Sequence, residues 1–149
     1  MIRTREAAPS DLPSLGRLFD GYRQFYQLPP DLEKSTAYLR ARLAAGDSVV
    51  LVAVDESDQL LGFTQLYPTW CSLLAGPVYV LYDLYVAPAA RQHGVGRALL
   101  EAAAERGRRE GKLRMTLSTA KTNLSAQSLY ASLGWERDGE FHVYNLSMA

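Results

Sequence analysis

The stretch "VYVLYDLYVAPAARQHGVGRALLEAAAERGRREG", residues 78–111, decides the fold. Its first nine residues are β-branched, aromatic or leucine, with the single exception of Asp83, and read as a central strand. Pro88 ends that strand. An apolar run of helical spacing follows the glycines, to about Glu110, and Gly111 closes it. Between strand and helix stands Arg91-Gln92-His93-Gly94-Val95-Gly96. Glycine at a helix start costs roughly 0.5–1 kcal/mol against alanine, so the position needs bare backbone. A helix start carries unpaired N–H groups and positive partial charge, and glycines let the loop curl those amides around an anion, phosphate above all. Each amide-to-phosphate bond contributes roughly 1.5–3 kcal/mol. Arg91 and Arg97 flank the turn and add charge. No Gly-Lys-Ser/Thr ending is present, which excludes the nucleoside-triphosphate loop. The turn follows a fourth strand and has two glycines, unlike the dinucleotide fingerprint.

Upstream, "IRTREA" alternates as a first strand. "PSDLPSL" offers Ser10 as an N-cap, and Leu12, Leu15, Phe19, Tyr22 and Tyr26 then share one helical face. "QLPPDL" interrupts, and a second helix over residues 32–45 stops at Gly46. "SVVLVAV" is a buried strand, "DESDQ" a turn and "LLGFTQLY" its hairpin partner. "TWCSLLAGP" reads as a loop. Downstream, "LRMTLST" is a strand, "NLSAQSLYASLG" a helix closed by Gly134, and two strands finish the chain. The order β-α-α-β-β-β-α-β-α-β-β predicts one mixed α/β domain over residues 1–149.

Composition agrees. The 149 residues are 48% hydrophobic and 21% charged, as in a globular domain with one core. Sixteen basic residues balance sixteen acidic ones, so no net field recruits nucleic acid or an anionic membrane. One cysteine and two histidines make a structural metal site or internal disulfide no part of the expectation. No apolar stretch approaches the ~20 residues of a membrane span, and a cytoplasmic location follows by default.

The stretch over residues 82–111 resembles the acetyl-CoA-binding core of the Gcn5-related N-acetyltransferases (GNAT). The family pattern is Arg/Gln-x-x-Gly-x-Gly/Ala behind a strand ending apolar-x-Val-x-Pro; Arg91, Gly94, Gly96, Leu84, Val86 and Pro88 fit it. A second family motif is matched by Asn123, Ala126, Leu129, Tyr130, Gly134 and Trp135. The element order matches along nearly the whole chain, and the first half looks most like the small histone- and polyamine-acetyltransferase branch. The resemblance implies a mostly antiparallel sheet of about seven strands, a splayed parallel pair at its middle and about four helices. It implies acetyl-CoA as cofactor, released as coenzyme A, with no metal. The diphosphate would lie on amides of Gln92, His93, Gly94, Val95, Gly96 and Arg97. The pantetheine arm would pair with the backbone of Leu84, Tyr85 and Val86. Asn123 would face the cofactor, with Ser128 a weaker contact. The family also makes homodimers familiar.

The implied reaction is attack of a primary amine on the thioester. An alkyl ammonium of pKa about 10.4 is only ~0.1% free amine at neutral pH, so a proton acceptor is needed. Asp83 is the candidate, and it can also be read as an ammonium anchor or a structural acid. Polyamine enzymes of the family often carry an acidic pair here; this chain has Tyr82 before Asp83, which argues against spermidine-like acceptors. Tyr130 matches the family position that protonates the leaving thiolate, and Asn123, Gln127 and Tyr130 share a helix face. The Val86 amide would stabilise the carbonyl oxygen. Tyr22, Tyr26, Tyr67 and Trp70 are candidates to line the acceptor pocket, their ring faces holding a cation. Small amines, amino acids and lysine side chains all remain open as acceptors. A non-catalytic acyl-CoA sensor and an interaction domain are the competing readings.

Overall fold

The computed structural model describes all 149 residues, Met1–Ala149. They form two compact units, Met1–Ser118 and Thr119–Ala149. The first holds a five-stranded sheet in the order β1 (Arg3–Glu6), β2 (Val49–Val54), β3 (Leu60–Cys71), β4 (Gly76–Val86), β5 (Met115–Thr116). The first three pairings are antiparallel, and β4 with β5 is parallel. Three helices accompany the sheet: α1 (Leu12–Phe25), α2 (Leu32–Ala45) and α3 (Val95–Arg109). No helix is long and apolar enough to cross a membrane.

β2 is the spine, and all six of its residues are buried. Alternation sends Val50, Val52 and Val54 to one face, where they meet Leu15 and Phe19 of α1 and Leu39 of α2. Ala53 faces the other way, against Val95 and Leu99 of α3. A strand covered on both faces has no polar side, which is why "VVLVAV" shows none. The α1–α2 pair is tied by buried Asp20, which accepts from Ser35 Oγ (2.8 Å), the Asp31 amide (3.0 Å) and Gln24 Nε2 (3.0 Å). Asp31 caps α2 through the Lys34 amide, and Gly46, at φ 64°, ends it. Asp11, not Ser10, is the residue before α1; Ser10 lies in a 3-10 turn over Pro9–Asp11. The Asp11 carboxylate turns back to the Ala8 amide and to Arg5 of β1.

Two features of β4 shape its free edge. Gln65 of β3 faces Asp83, but Leu66 faces Leu81, so Tyr82 is an extra, bulged residue. And β5 meets β4 only at Tyr79 and Val80, so residues 81–86 have no strand on that edge.

The structure corrects the expected sheet from seven strands to five. Residues 135–149 adopt no regular structure; Phe141, Val143, Tyr144, Leu146 and Met148 are all exposed. Their alternation suits a strand, but no ladder takes up their N–H and C=O groups, and side-chain pattern alone does not make one. The fifth strand is only two residues long. The third and fourth strands run further than predicted, leaving residues 72–75 as the turn where a nine-residue loop was expected. The second unit contains α4 (Leu124–Ser132), followed by Gly134 at φ 91°.

Candidate active site

The open edge of β4 comes first. The Ala87 amide donates to Leu61 of β3 (2.8 Å). Successive residues of a strand point their peptide groups to opposite sides, so Val86, and Leu84 two before it, direct theirs away from β3. Arg91 Nε donating to the Val86 carbonyl (3.1 Å) fits that direction. Before the bulge the opposite parity holds: it is Tyr79, an odd position, that donates across to Arg114. The bulge at Tyr82 thus switches which residues offer their backbone to the open edge. Tyr85 is the exception among the predicted trio. Its backbone faces β3, and its hydroxyl rests against α1, close enough that a Cβ on Gly21 would fall 2.9 Å from it.

The glycine turn lies immediately beyond. Gln92 and Gly94 take positive φ, 65° and 82°, which curls the loop into the start of α3. The first internal helical bond runs from the Ala98 amide to the Gly94 carbonyl, so the amides of Val95, Gly96 and Arg97 precede any helical partner. The N-cap residue is Gly94, which has no side chain to cap them. Gln92, His93 and Gly94 are exposed. Arg91 is used locally: besides the Val86 carbonyl, its guanidinium lies over the Tyr85 ring at 5.5 Å. It braces the turn rather than projecting across it. Arg97 stands near Glu101 on the exposed side of α3.

Asp83 points to the other side of the strand. It is 4% exposed and forms one wall of a cavity of about 280 Å³ between α1, β3 and β4. Burial pushes its carboxyl above the usual range, against the opposing pull of hydrogen bonds from Gln65 and Tyr22. Gln65 Nε2 donates to Asp83 Oδ2 at 2.6 Å, and Gln65 Oε1 accepts from Ser48 Oγ at 2.9 Å. Because Ser48 supplies a hydroxyl to the amide oxygen, the Gln65 NH2 is the end presented to Asp83. The Tyr22 hydroxyl donates to the Tyr82 carbonyl (3.2 Å) beside the same carboxylate. Burial first, and the Asp83 charge second, push the Tyr22 hydroxyl well above its ordinary value. Tyr67 is raised likewise by burial and by its short bond with Tyr38.

Of the predicted acceptor residues, Tyr22, Tyr26 and Tyr67 line this cavity. Trp70 does not: it lies near the end of β3, 76% exposed. Tyr38, Tyr82 and Arg23 line it too and were not foreseen. Tyr38 comes from α2, and only the α1–α2 packing brings it round; nothing in its local spacing signals that. Gln65 was legible in principle, as a lone amide inside an apolar strand whose burial demands a partner.

In the second unit Asn123 is the N-cap of α4, its Oδ1 accepting from the Ala126 amide at 3.2 Å. Gln127 is spent on the Ala120 and Lys121 carbonyls. Tyr130 is half-buried with its ring 6.2 Å from Trp135, and Ser128 is exposed. No group of three metal-ligating side chains is present.

A strand that parts from its parallel neighbour leads through a glycine turn into a helix start, and a buried carboxylate lies on that same strand. The family model "Acetyltransferase (GNAT) family" matches residues 15–135. The chain belongs to that family and is an acetyl-transferring enzyme. It is 42% identical to the uncharacterized N-acetyltransferase YhfO of Bacillus subtilis over 147 residues, 99% of this chain and 98% of that one. It is 28% identical to a probable acetyltransferase of Haemophilus influenzae over 135 residues, 89% and 88% of the two chains. Among solved structures, that of a probable acetyltransferase superposes with a TM-score of 0.92 at 40% identity, covering 99% of this chain and 98% of that one.

Proposed function

We propose that the protein moves the acetyl group of acetyl-CoA onto a primary amine by direct attack. One observation carries the reading: a single strand has an unpaired backbone edge and a buried carboxylate at a cavity. Leu84 and Val86 turn backbone groups to the open edge, while Asp83, next to Leu84 and of the opposite parity, sits buried against the aromatic cavity. The pantetheine arm pairs with that edge, and the diphosphate rests on the amides of Gln92 through Arg97. Gly94 keeps the loop curled, and Asn123 and Ser128 offer side-chain contacts from α4.

Asp83 takes a proton from the ammonium. The nitrogen lone pair then bonds to the carbonyl carbon, and the displaced charge on oxygen is met by the Val86 amide. The C–S bond breaks as the carbonyl re-forms, the Tyr130 hydroxyl protonates the leaving sulfur, and the extra proton on the newly acylated nitrogen restores that hydroxyl. A base raised above the ordinary carboxylate range takes the proton more readily than an exposed aspartate. The test is thiol release from acetyl-CoA with a panel of primary amines. Amine-dependent release is the expected outcome; silence across diverse amines, with acetyl-CoA still raising the Tm, overturns transfer to an amine and returns the chain to a sensor.

A further inference from the structure

The cavity beside Asp83 contains a second charged group that the transfer chemistry does not use. Arg23, in the last turn of α1, is the only other charged residue among its lining. Its backbone is fixed, because its carbonyl accepts from the amides of Tyr26 (3.1 Å) and Leu28 (3.2 Å). No carboxylate lies within 4 Å of its guanidinium. The acid that feels its charge is Asp20, whose oxygens are already taken by Ser35, Asp31 and Gln24. A guanidinium at a cavity wall with its donors uncommitted is suited to a carboxylate, which it meets in bidentate fashion.

The rest of the wall is uncharged. The Tyr22 hydroxyl is bound to the Tyr82 carbonyl, and those of Tyr38 and Tyr67 to each other. Five tyrosines, Tyr22, Tyr26, Tyr38, Tyr67 and Tyr82, thus stand with Phe19 and Leu28 around the space, and three of their hydroxyls are already engaged within the protein. Such a wall holds an apolar or aromatic side chain and tolerates an ammonium near its faces. At about 280 Å³ the space is at the small end for ligand sites. A diamine would need a second acid, and none lines the cavity.

Resting on the acetyltransfer reading, we propose that the acceptor is a small apolar or aromatic α-amino acid, bound as its zwitterion with ammonium toward Asp83 and carboxylate on Arg23. The ammonium proton passes to Asp83, the N–C bond forms, the C–S bond breaks, and the products are an N-acetyl amino acid and the free thiol. The product has lost the cationic end that Asp83 held, so the ion-pair attraction that recruits the substrate is absent on release.

Calorimetric binding tests this without turnover. The ligands are apolar and aromatic amino acids, each paired with the amine that lacks only the carboxylate, such as L-leucine with 3-methylbutylamine and L-phenylalanine with 2-phenylethylamine, and spermidine. At least one amino acid should bind about 10- to 100-fold tighter than its amine. Arg23→Gln should erase that advantage by weakening the amino acid and not the amine. Amines binding as well as their amino acids throughout, or spermidine binding best, overturns the proposal in the wild-type protein, whatever the variant does. Thiol release with the same panel separates the two readings. Amino-acid preference in binding with no release sinks acetyltransfer and leaves the zwitterion site standing; release that ignores the carboxylate sinks only the zwitterion.

Discussion

Asp83 is pulled in opposite directions by its burial and by its hydrogen-bond donors. Gln65 donates to Oδ2, which favours the charged form, while burial favours the neutral one and prevails. Asp83→Asn removes the proton acceptor but keeps the shape, and kcat should fall roughly 10²- to 10⁴-fold. Gln65→Leu keeps a side chain of similar size and deletes the donor. Burial then acts with less opposition, so the Asp83 carboxyl rises further and the ascending limb of kcat/KM moves to higher pH. A flat response of that limb, with activity merely lower, would make Gln65 a packing residue. The donor's KM should stay put in both variants. Asp83 was legible in the sequence because an acid inside "VYVLYDLYV" cannot be idle. Its partners were not: the pairing of Gln65 with Asp83 depends on the bulge at Tyr82, and strand residues do not announce their register.

At the scale of elements, α3 and the turn before it were legible almost to the residue, since glycine at a helix start is costly and therefore informative. The prediction from them is equally local. Gly96→Glu sets a carboxylate among the first-turn amides, where the helix dipole welcomes it and the incoming diphosphate meets repulsion. The helix should therefore keep its stability, with Tm within a few degrees of wild type, while acetyl-CoA loses the ability to raise it. A ligand at 100 times its Kd adds about 2.7 kcal/mol, so the lost shift is easily measured. Unaltered donor binding would remove the turn from the site. The terminal strands were misread for the opposite reason. Alternation in residues 135–149 describes a side-chain pattern, whereas a strand also needs a neighbour's backbone. The 69–77 stretch erred the other way: apolar residues on a loop-like string proved to be hairpin arms, with backbone pairing that Pro68 and Pro77 did not prevent.

For the whole molecule, acid stability sets structural carboxylates against the proposed base. Asp20 is desolvated, yet bonds from Ser35, Asp31 and Gln24 outweigh that and hold it below the ordinary 3.8. Asp11 is lowered chiefly by Arg5. A carboxyl lowered by folding stabilises the protein above its unfolded value and loses that contribution as pH falls through its folded value. These groups therefore protect the fold at neutral pH and fail below about pH 4. Asp83 has the reverse sign. Its folded value is raised, so its stabilising contribution is complete below 3.8 and is lost as pH rises through the folded value; at neutral pH its charge opposes folding. Asp20→Asn should cost about 1–3 kcal/mol at pH 7, a fall in Tm of roughly 2–12 °C. Asp83→Asn should raise Tm at pH 7 even as it slows turnover, the mark of a site that trades stability for function. On acidification both variants should approach the wild-type curve, one from below and one from above. Melting curves from pH 7 to pH 3 check this. A deficit for Asp20→Asn that persists undiminished at pH 3 would assign its loss to packing rather than charge, and a fall in Tm for Asp83→Asn at pH 7 would mean the buried carboxylate holds the fold together.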